Sequence, residues 1–294
     1  MAVRPHVQTP APKAPLPWAV PCLKWVGGKR QLLSELLPVL TSAPFHEYHE
    51  PFVGGGAVFF ALRALGFSQP FHMADVNIDL AMTYEAVKSH LGPLLGELRF
   101  LASEHTARSE RAREVYFYAV RSVVPAAMVH RAARMIYLNR LCFNGLWRTN
   151  TKGLFNVPYG RHVNPTICDE DNLRACSAAL KDATITCGDF EVSLSRVQAG
   201  DLCYLDSPYV PVNKTSNFVS YGKDGFGPKD QERLAAEFAR LTKLAARVVL
   251  SNADCDVVRR LYEGHNIRSV SARRNVNSDG AKRGKVGEVI VTNF

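Results

Sequence analysis

Apolar positions recur at helical spacing over 31–40, so this stretch reads as a helix. It follows a loop, LKWVGGKR, over 23–30. A short strand signal then ends in HEPFVGGG, with Gly54, Gly55 and Gly56 at the turn, and AVFFALRALG reads as the next helix. A second strand, FHMAD, ends at Asp75. Strand, glycine turn, helix, strand and acid, in that order, open a Rossmann-like βαβ unit. Asp75 lies 21 residues after Gly54 (75 − 54), near the spacing of an acid that binds ribose hydroxyls.

From 77 to 141 the pattern is mostly helical, with Pro125 breaking or capping one helix. FNGLWRTNTKGLFNVPYGR, over 143–161, mixes turn residues with β-formers and has no helical period. It reads as a β-hairpin or hairpin-like loop. Strand signals return at 184–188, 201–206 and 246–251. Between the last two, Leu234, Phe238, Leu241 and Leu244 line one helical face. Two further strands, near 266–271 and 286–292, flank a basic loop carrying Arg273, Arg274, Lys282, Arg283 and Lys285. No internal repeat is visible. Two strands are thus separated from five others by about a hundred residues. This predicts an α/β core over 19–90 and 170–294, and a helical insertion over 91–169 that carries the hairpin. Pro5, Pro10, Pro12, Pro15 and Pro17 break up the first residues, and 1–18 is expected to be a disordered tail.

Composition narrows the class. Hydrophobic residues make up 47% of the 294 positions, enough for a sizeable core. Lys and Arg outnumber Asp and Glu by 36 to 27, a net charge of +9 that favours a polyanionic partner such as nucleic acid. The seven cysteines are odd in number and form no Cys-x-x-Cys pair. That argues against a disulfide framework and a zinc site, so no metal is expected. No apolar run is long enough to span a bilayer, and the N-terminus lacks a signal-peptide core. The expectation is a cytoplasmic protein without a membrane partner. The sequence carries no signal of oligomeric state.

Two places offer chemistry. The Gly54–Gly56 turn lets backbone approach a ligand at the carboxyl end of a strand, but it lacks the G-x-G-x-x-G spacing, and such turns occur wherever a strand meets a helix. Asp75 is equally a surface acid by itself. Asp206-Ser207-Pro208-Tyr209 follows the apolar strand LCYL. A carboxylate there points into the crevice where α/β folds bind ligands. Pro208 biases Ser207 to an extended backbone, and Tyr209 offers a flat face. Two acceptors beside an aromatic plate suit a planar amine with two hydrogens. Methylation of an aryl amine needs such acceptors, because its lone pair is delocalised, and they gain strength as positive charge develops. Alone, the tetrapeptide also reads as a turn after a strand.

Together these segments resemble the Dam family (D12 class) of S-adenosylmethionine-dependent adenine-N6 DNA methyltransferases. LKWVGGK, HEPFVGGGAVF, ADVNIDL, NRLCFNGLWRTNTKGLFNVPYGR, DLCYLDSPY and LSNADC occur in family order, from Leu23 to the C-terminus. The resemblance implies a Rossmann-like class I methyltransferase core with a helical, hairpin-bearing DNA-recognition insertion. It implies that Trp25, Lys29, Phe52, Gly54, Gly55, Gly56 and Asp75 hold S-adenosylmethionine, with Asp189 and Phe190 framing its adenine and Asp206 bordering the pocket. Asp206, Ser207, Pro208 and Tyr209 match the family's catalytic Asp-Pro-Pro-Tyr. Ser207 departs from the first proline but retains the backbone carbonyl. The implied substrate is adenine N6 in double-stranded DNA, with GATC the expected site and the target base flipped out. Phe143 is the implied wedge, where the family more often has tyrosine. Lys24, Asn144, Leu146, Arg148 and Pro158 are the implied base contacts, while Arg161 and the basic loop would meet phosphates. The competing readings are a methyltransferase of RNA or a protein amide, against which the hairpin argues, and a DNA-binding protein without turnover, which only Ser207 favours.

Overall fold

A computed structural model describes residues 18–211, 225–273 and 285–294. The Pro-rich tail, except Trp18, and Arg274, Lys282 and Arg283 of the basic loop lie outside the described residues.

A 3-10 turn (Lys29–Gln31) leads into α1 (Leu33–Leu40), β1 (Tyr48–Glu50), α2 (Ala57–Ala64), β2 (Phe71–Asp75) and α3 (Ile78–Ser89). Next come α4 (Leu91–Thr106), α5 (Glu110–Ser122), α6 (Met128–Leu141), a second 3-10 turn (Phe143–Gly145) and α7 (Glu170–Leu180). The chain continues through β3 (Ala183–Cys187), α8 (Phe190–Leu194), β4 (Leu202–Leu205), α9 (Pro228–Lys243) and β5 (Arg247–Ala253). It ends with α10 (Asp256–Leu261), β6 (Asn266–Arg273) and β7 (Lys285–Thr292). Seven strands form where seven were expected, shifted by a residue or two at their ends. The periodicity does not reveal α8 and α10, which are too short to display a helical repeat.

The strands form one sheet in the order β3-β2-β1-β4-β5-β7-β6. β7 runs antiparallel to both neighbours and the other pairings are parallel. β4 is buried along its whole length, as its unbroken apolar run requires of a central parallel strand. The winding reverses between β1 and β4. That switch opens a crevice beyond their carboxyl ends, which is where an α/β sheet receives a ligand.

Alternation along the strands divides the core. Leu202, Tyr204, Val249 and Ile290 face one cluster, whereas Cys203, Leu205, Val248, Val289 and Val291 face the other, under α8, α9 and α10. The first cluster continues without a break through Met135, Ile136 and Leu138 of α6 into Trp147, Phe155, Val157 and Tyr159 of the hairpin segment. The helices inserted between β2 and β3 therefore share a core with the sheet, which fixes the hairpin relative to the crevice. Bridges Cys142–Tyr159 and Thr149–Phe155 pair its two arms. It is a short-laddered loop that opens on a 3-10 turn.

At the amino ends of β1 and β2, His49 and His72 stack with ring centroids 4.7 Å apart. His72 Nε2 lies 2.7 Å from Glu47, and His49 Nε2 lies 3.1 Å from Asp201. Glu47, His49 and His72 bring three ligand-type atoms within 4.8 Å. Both Nδ1 atoms, however, are buried without a partner. A metal on either Nε2 would put a proton on an Nδ1 that has no acceptor. The group reads as two histidines each donating to a carboxylate. Burial, and then His72, lowers the His49 pKa to about 4, so the ring is neutral.

Candidate active site

The crevice collects one functional group from nearly every strand end. After β1, the chain turns through Val53–Gly56. Gly54 has a φ of +47°, and a Cβ there would lie 2.7 Å from Trp25 Cδ1. Glycine is required for both backbone and space, because the Trp25 indole lies against the turn. Tyr84 of α3 donates to the Gly54 carbonyl at 2.8 Å, and Gly54 N donates to Asp75 Oδ2 at 3.1 Å. The other Asp75 oxygen accepts from Asn77 N at 2.9 Å. Burial raises the Asp75 pKa to about 6 against these backbone donors. Each oxygen still has a lone pair, which suits a vicinal diol.

After β3, Asp189 caps α8 through Glu191 N at 3.0 Å and is pinned by Arg233 at 2.8 Å. Phe190 packs with Phe52, centroids 5.4 Å apart, and with Phe226 at 6.0 Å. Arg233 lies 4.8 Å over the Phe190 ring. Sequence reasoning did not single out Arg233, which sits on α9, 44 residues from Asp189.

After β4 comes the Asp206–Tyr209 loop. Lys29 Nζ, almost fully buried, lies 2.7 Å from Asp206 Oδ1 and 4.6 Å from the centroid of the Tyr209 ring. It also donates to the Gly27 carbonyl at 2.6 Å. Ser251 of β5 donates to the same Asp206 oxygen at 3.0 Å. Burial raises the Asp206 pKa, with Lys29 and Ser251 opposing it. Glu50, buried at the end of β1 and accepting from Tyr48 at 2.9 Å, is pushed up to about 8 by burial and keeps its proton at neutral pH. Lys29 and Ser251 thus favour the ionised form of Asp206, while burial opposes it.

The loop backbone is held from two sides. Gln231 of α9 donates to the Pro208 carbonyl at 2.7 Å, while Asn252 accepts from Val210 N at 3.0 Å and donates to Gln231 at 3.2 Å. Tyr209 donates to Glu288 of β7 at 2.8 Å. The Pro208 carbonyl is therefore engaged, whereas the Ser207 carbonyl accepts no hydrogen bond among the described residues. The Ser207 hydroxyl is buried without a partner. Asn252 lay within the quoted LSNADC segment, but Gln231 and Glu288 had no motif to mark them.

The constellation of a glycine turn, a buried acid at a strand end, two packed phenylalanines and a carboxylate beside a carbonyl that accepts no hydrogen bond among the described residues matches a known family. The model for the D12 class N6 adenine-specific DNA methyltransferases matches residues 25–276. The chain belongs to this family. It is 43% identical over 285 residues to the type II methyltransferase M.MjaIII of Methanocaldococcus jannaschii, covering 93% of this chain and 99% of the relative. Against the type II methyltransferase M1.LlaDCHI of Lactococcus lactis subsp. cremoris it is 38% identical, covering 93% and 95%. Against the DNA adenine methylase of Escherichia coli K12 it is 33% identical, covering 91% and 93%.

The D12 methyltransferase uses S-adenosylmethionine and acts on adenine N6 in DNA. The crevice fits that cofactor. Asp75 has lone pairs for the ribose hydroxyls, the half-buried Phe52 has ring surface for a purine, and the Asp206 carboxylate suits a sulfonium. Among the described residues no helix is long and apolar enough to cross a membrane.

The DNA-facing candidates form a separate cluster. Lys24, Phe143, Asn144, Arg148, Pro158 and Arg161 are exposed, while Leu146 is half-buried against the core. Phe143 is 52% exposed, which leaves its ring open to solvent at the head of the hairpin. Phe143 N donates to the Pro158 carbonyl at 2.9 Å, which ties the start of the hairpin to its end. Arg148 Nε donates to Asn156 at 2.8 Å. Arg161 lies 3.3 Å from Glu114, an ion pair that phosphate would have to replace.

Proposed function

We propose that the substrate is double-stranded DNA, that the methylated site is GATC, and that the target adenine is turned out of the duplex into the crevice. The observation that carries the duplex reading is the exposed Phe143 at the head of a hairpin that shares the core, with Lys24 against the same turn and Arg148 exposed further along the hairpin. An aromatic wedge offsets stacking lost when a neighbouring base leaves, and arginine and lysine suit guanine acceptors.

Bound S-adenosylmethionine supplies a methyl group on positively charged sulfur. Asp75 and the Gly54–Gly56 turn would hold its nucleoside end, with Phe52, Phe190 and Asp189 on the purine side. Asp206 and the Ser207 carbonyl accept the two N6 hydrogens and localise the nitrogen lone pair. Tyr209 stacks on the base while Glu288 anchors its hydroxyl. Lys29 opposes the burial that raises the Asp206 pKa, and covers one face of Tyr209. Asp206 takes the proton that N6 sheds, since burial has raised its proton affinity. Alignment supplies much of the acceleration, because the displacement needs no strong base.

Mapping N6-methyladenine in unmodified duplex DNA exposed to the protein tests the site. Methylation confined to GATC is expected. Methylation at another sequence overturns GATC and leaves the adenine chemistry in place, whereas a preference for single strands overturns the duplex reading. Rates of Arg148→Ala on duplexes altered at each base pair then separate a base contact, lost at one position, from a phosphate contact, lost on all.

A further inference from the structure

Asn139 sits near the end of α6 and is completely buried. A buried amide needs partners, and this one has three. It accepts from Lys24 N at 2.8 Å, donates to the Lys24 carbonyl at 2.8 Å, and donates to the Gly145 carbonyl at 3.2 Å. One side chain thus grips both backbone groups of a residue 115 positions away, and the turn that follows Phe143 as well.

Gly145 completes the arrangement. Its φ is +64°, and a Cβ there would meet Lys24 Cδ at 2.5 Å and Lys24 Cβ at 2.8 Å. The lysine stem lies across the glycine, and only its end is left to reach outward. Trp25, the next residue, lies against Gly54 and Gly55. Lys24 is therefore referenced at once to the reading hairpin and to the cofactor turn.

We propose that Asn139 is a specificity-positioning residue, which sets where Lys24 reads DNA by locking its backbone to the Phe143–Gly145 turn. This rests on the reading of Lys24 as a base contact. The functional alternative, a tie that serves folding alone, predicts a loss that is equal on every sequence.

The test measures kcat/KM on the preferred duplex and on duplexes changed at each base pair. Lys24→Ala first identifies the base pair that Lys24 reads. Asn139→Asp keeps the size and the acceptor for Lys24 N, but loses both donors. It is expected to lower discrimination at that same base pair about 10-fold, with the other preferences retained. Gly145→Ala approaches from the other side, by pushing the lysine stem away, and is expected to blunt the same position. It keeps the proposal testable if Asn139→Asp does not fold, which thermal unfolding will show. Rates reduced equally on all duplexes, or an unchanged profile, in whichever variants fold, overturn the proposal while Lys24 remains a base contact. If Lys24→Ala alters no preference, the base-contact reading fails and the proposal fails with it.

Discussion

Removing the Lys29 charge gives the sharpest test of the catalytic carboxylate. Lys29→Met keeps an unbranched stem of similar volume in a nearly enclosed position, but deletes the ammonium 2.7 Å from Asp206. An opposite charge at such a distance lowers a carboxyl pKa by about 1–3 units. Each unit corresponds to about 1.4 kcal/mol. Asp206 must be ionised to accept an N6 hydrogen, and burial already raises its pKa with Lys29 opposing. Without Lys29 the pKa rises further, so a higher pH is needed to ionise the group. The acid limb of the single-turnover rate should therefore move to higher pH, with the rate largely recovered above it. Glu50, at about 8, titrates in the same window, so the profile is repeated in a Glu50→Gln background. Saturating cofactor separates this effect from weaker binding. An acid limb that stays in place, or a deficit that alkali does not relieve, refutes the ion pair as the device that keeps Asp206 charged.

Ser207→Pro should retain turnover and raise the melting temperature by about 1–3 °C, because it removes a buried hydroxyl that has no partner while keeping the carbonyl. A folded but inactive variant would show that the Ser207 hydroxyl or N–H takes part. His49 makes stability depend on pH. Its folded pKa, about 4, lies below the unfolded value of about 6.5, so the unfolded chain takes up the proton first as pH falls. Stability is lost between those two values and levels off beneath them. His49→Val should reduce the stability difference between about pH 7.5 and pH 5 by about 2 kcal/mol in denaturant unfolding, and an undiminished difference would place the titration elsewhere.

What the sequence made legible was local. LCYL is an unbroken apolar run, so it could be read as a buried strand, and the acid after it falls at the strand's carboxyl end. Asp75 after FHMAD follows the same logic. The groups that hold the loop after Asp206 and the reading hairpin in position were not legible, because their partners are distant. Gln231 reaches Pro208 across 23 residues, Tyr209 reaches Glu288 across 79, and Asn139 reaches Lys24 across 115. An isolated glutamine on an amphipathic helix reads as a solvated position, and only packing of α9 on the sheet turns it inward. Leu146 shows the converse. Its place in FNGLWR implies a base contact, yet the structure packs part of it against the core and leaves less of it to face DNA.

The hydrogen bonds around the Asp206–Tyr209 loop also decide which carbonyl is available for substrate. A backbone carbonyl has two lone pairs, but Gln231 already donates to Pro208. That bond is in turn oriented by Asn252, whose own acceptor is committed to Val210 N and Ala253 N. The clamp fixes the peptide after Pro208 while leaving the Ser207 carbonyl without a donor among the described residues. On the other side, Lys29 and Ser251 both meet Asp206 Oδ1, and neither meets Oδ2. Among the described residues, one carboxylate oxygen and one carbonyl are thus the acceptors left over, one from each of two consecutive residues. Two acceptors are what an exocyclic amine with two hydrogens can use. A serine at position 207 does not disturb this, because every contact that shapes the pair is made by a neighbouring residue or by the backbone.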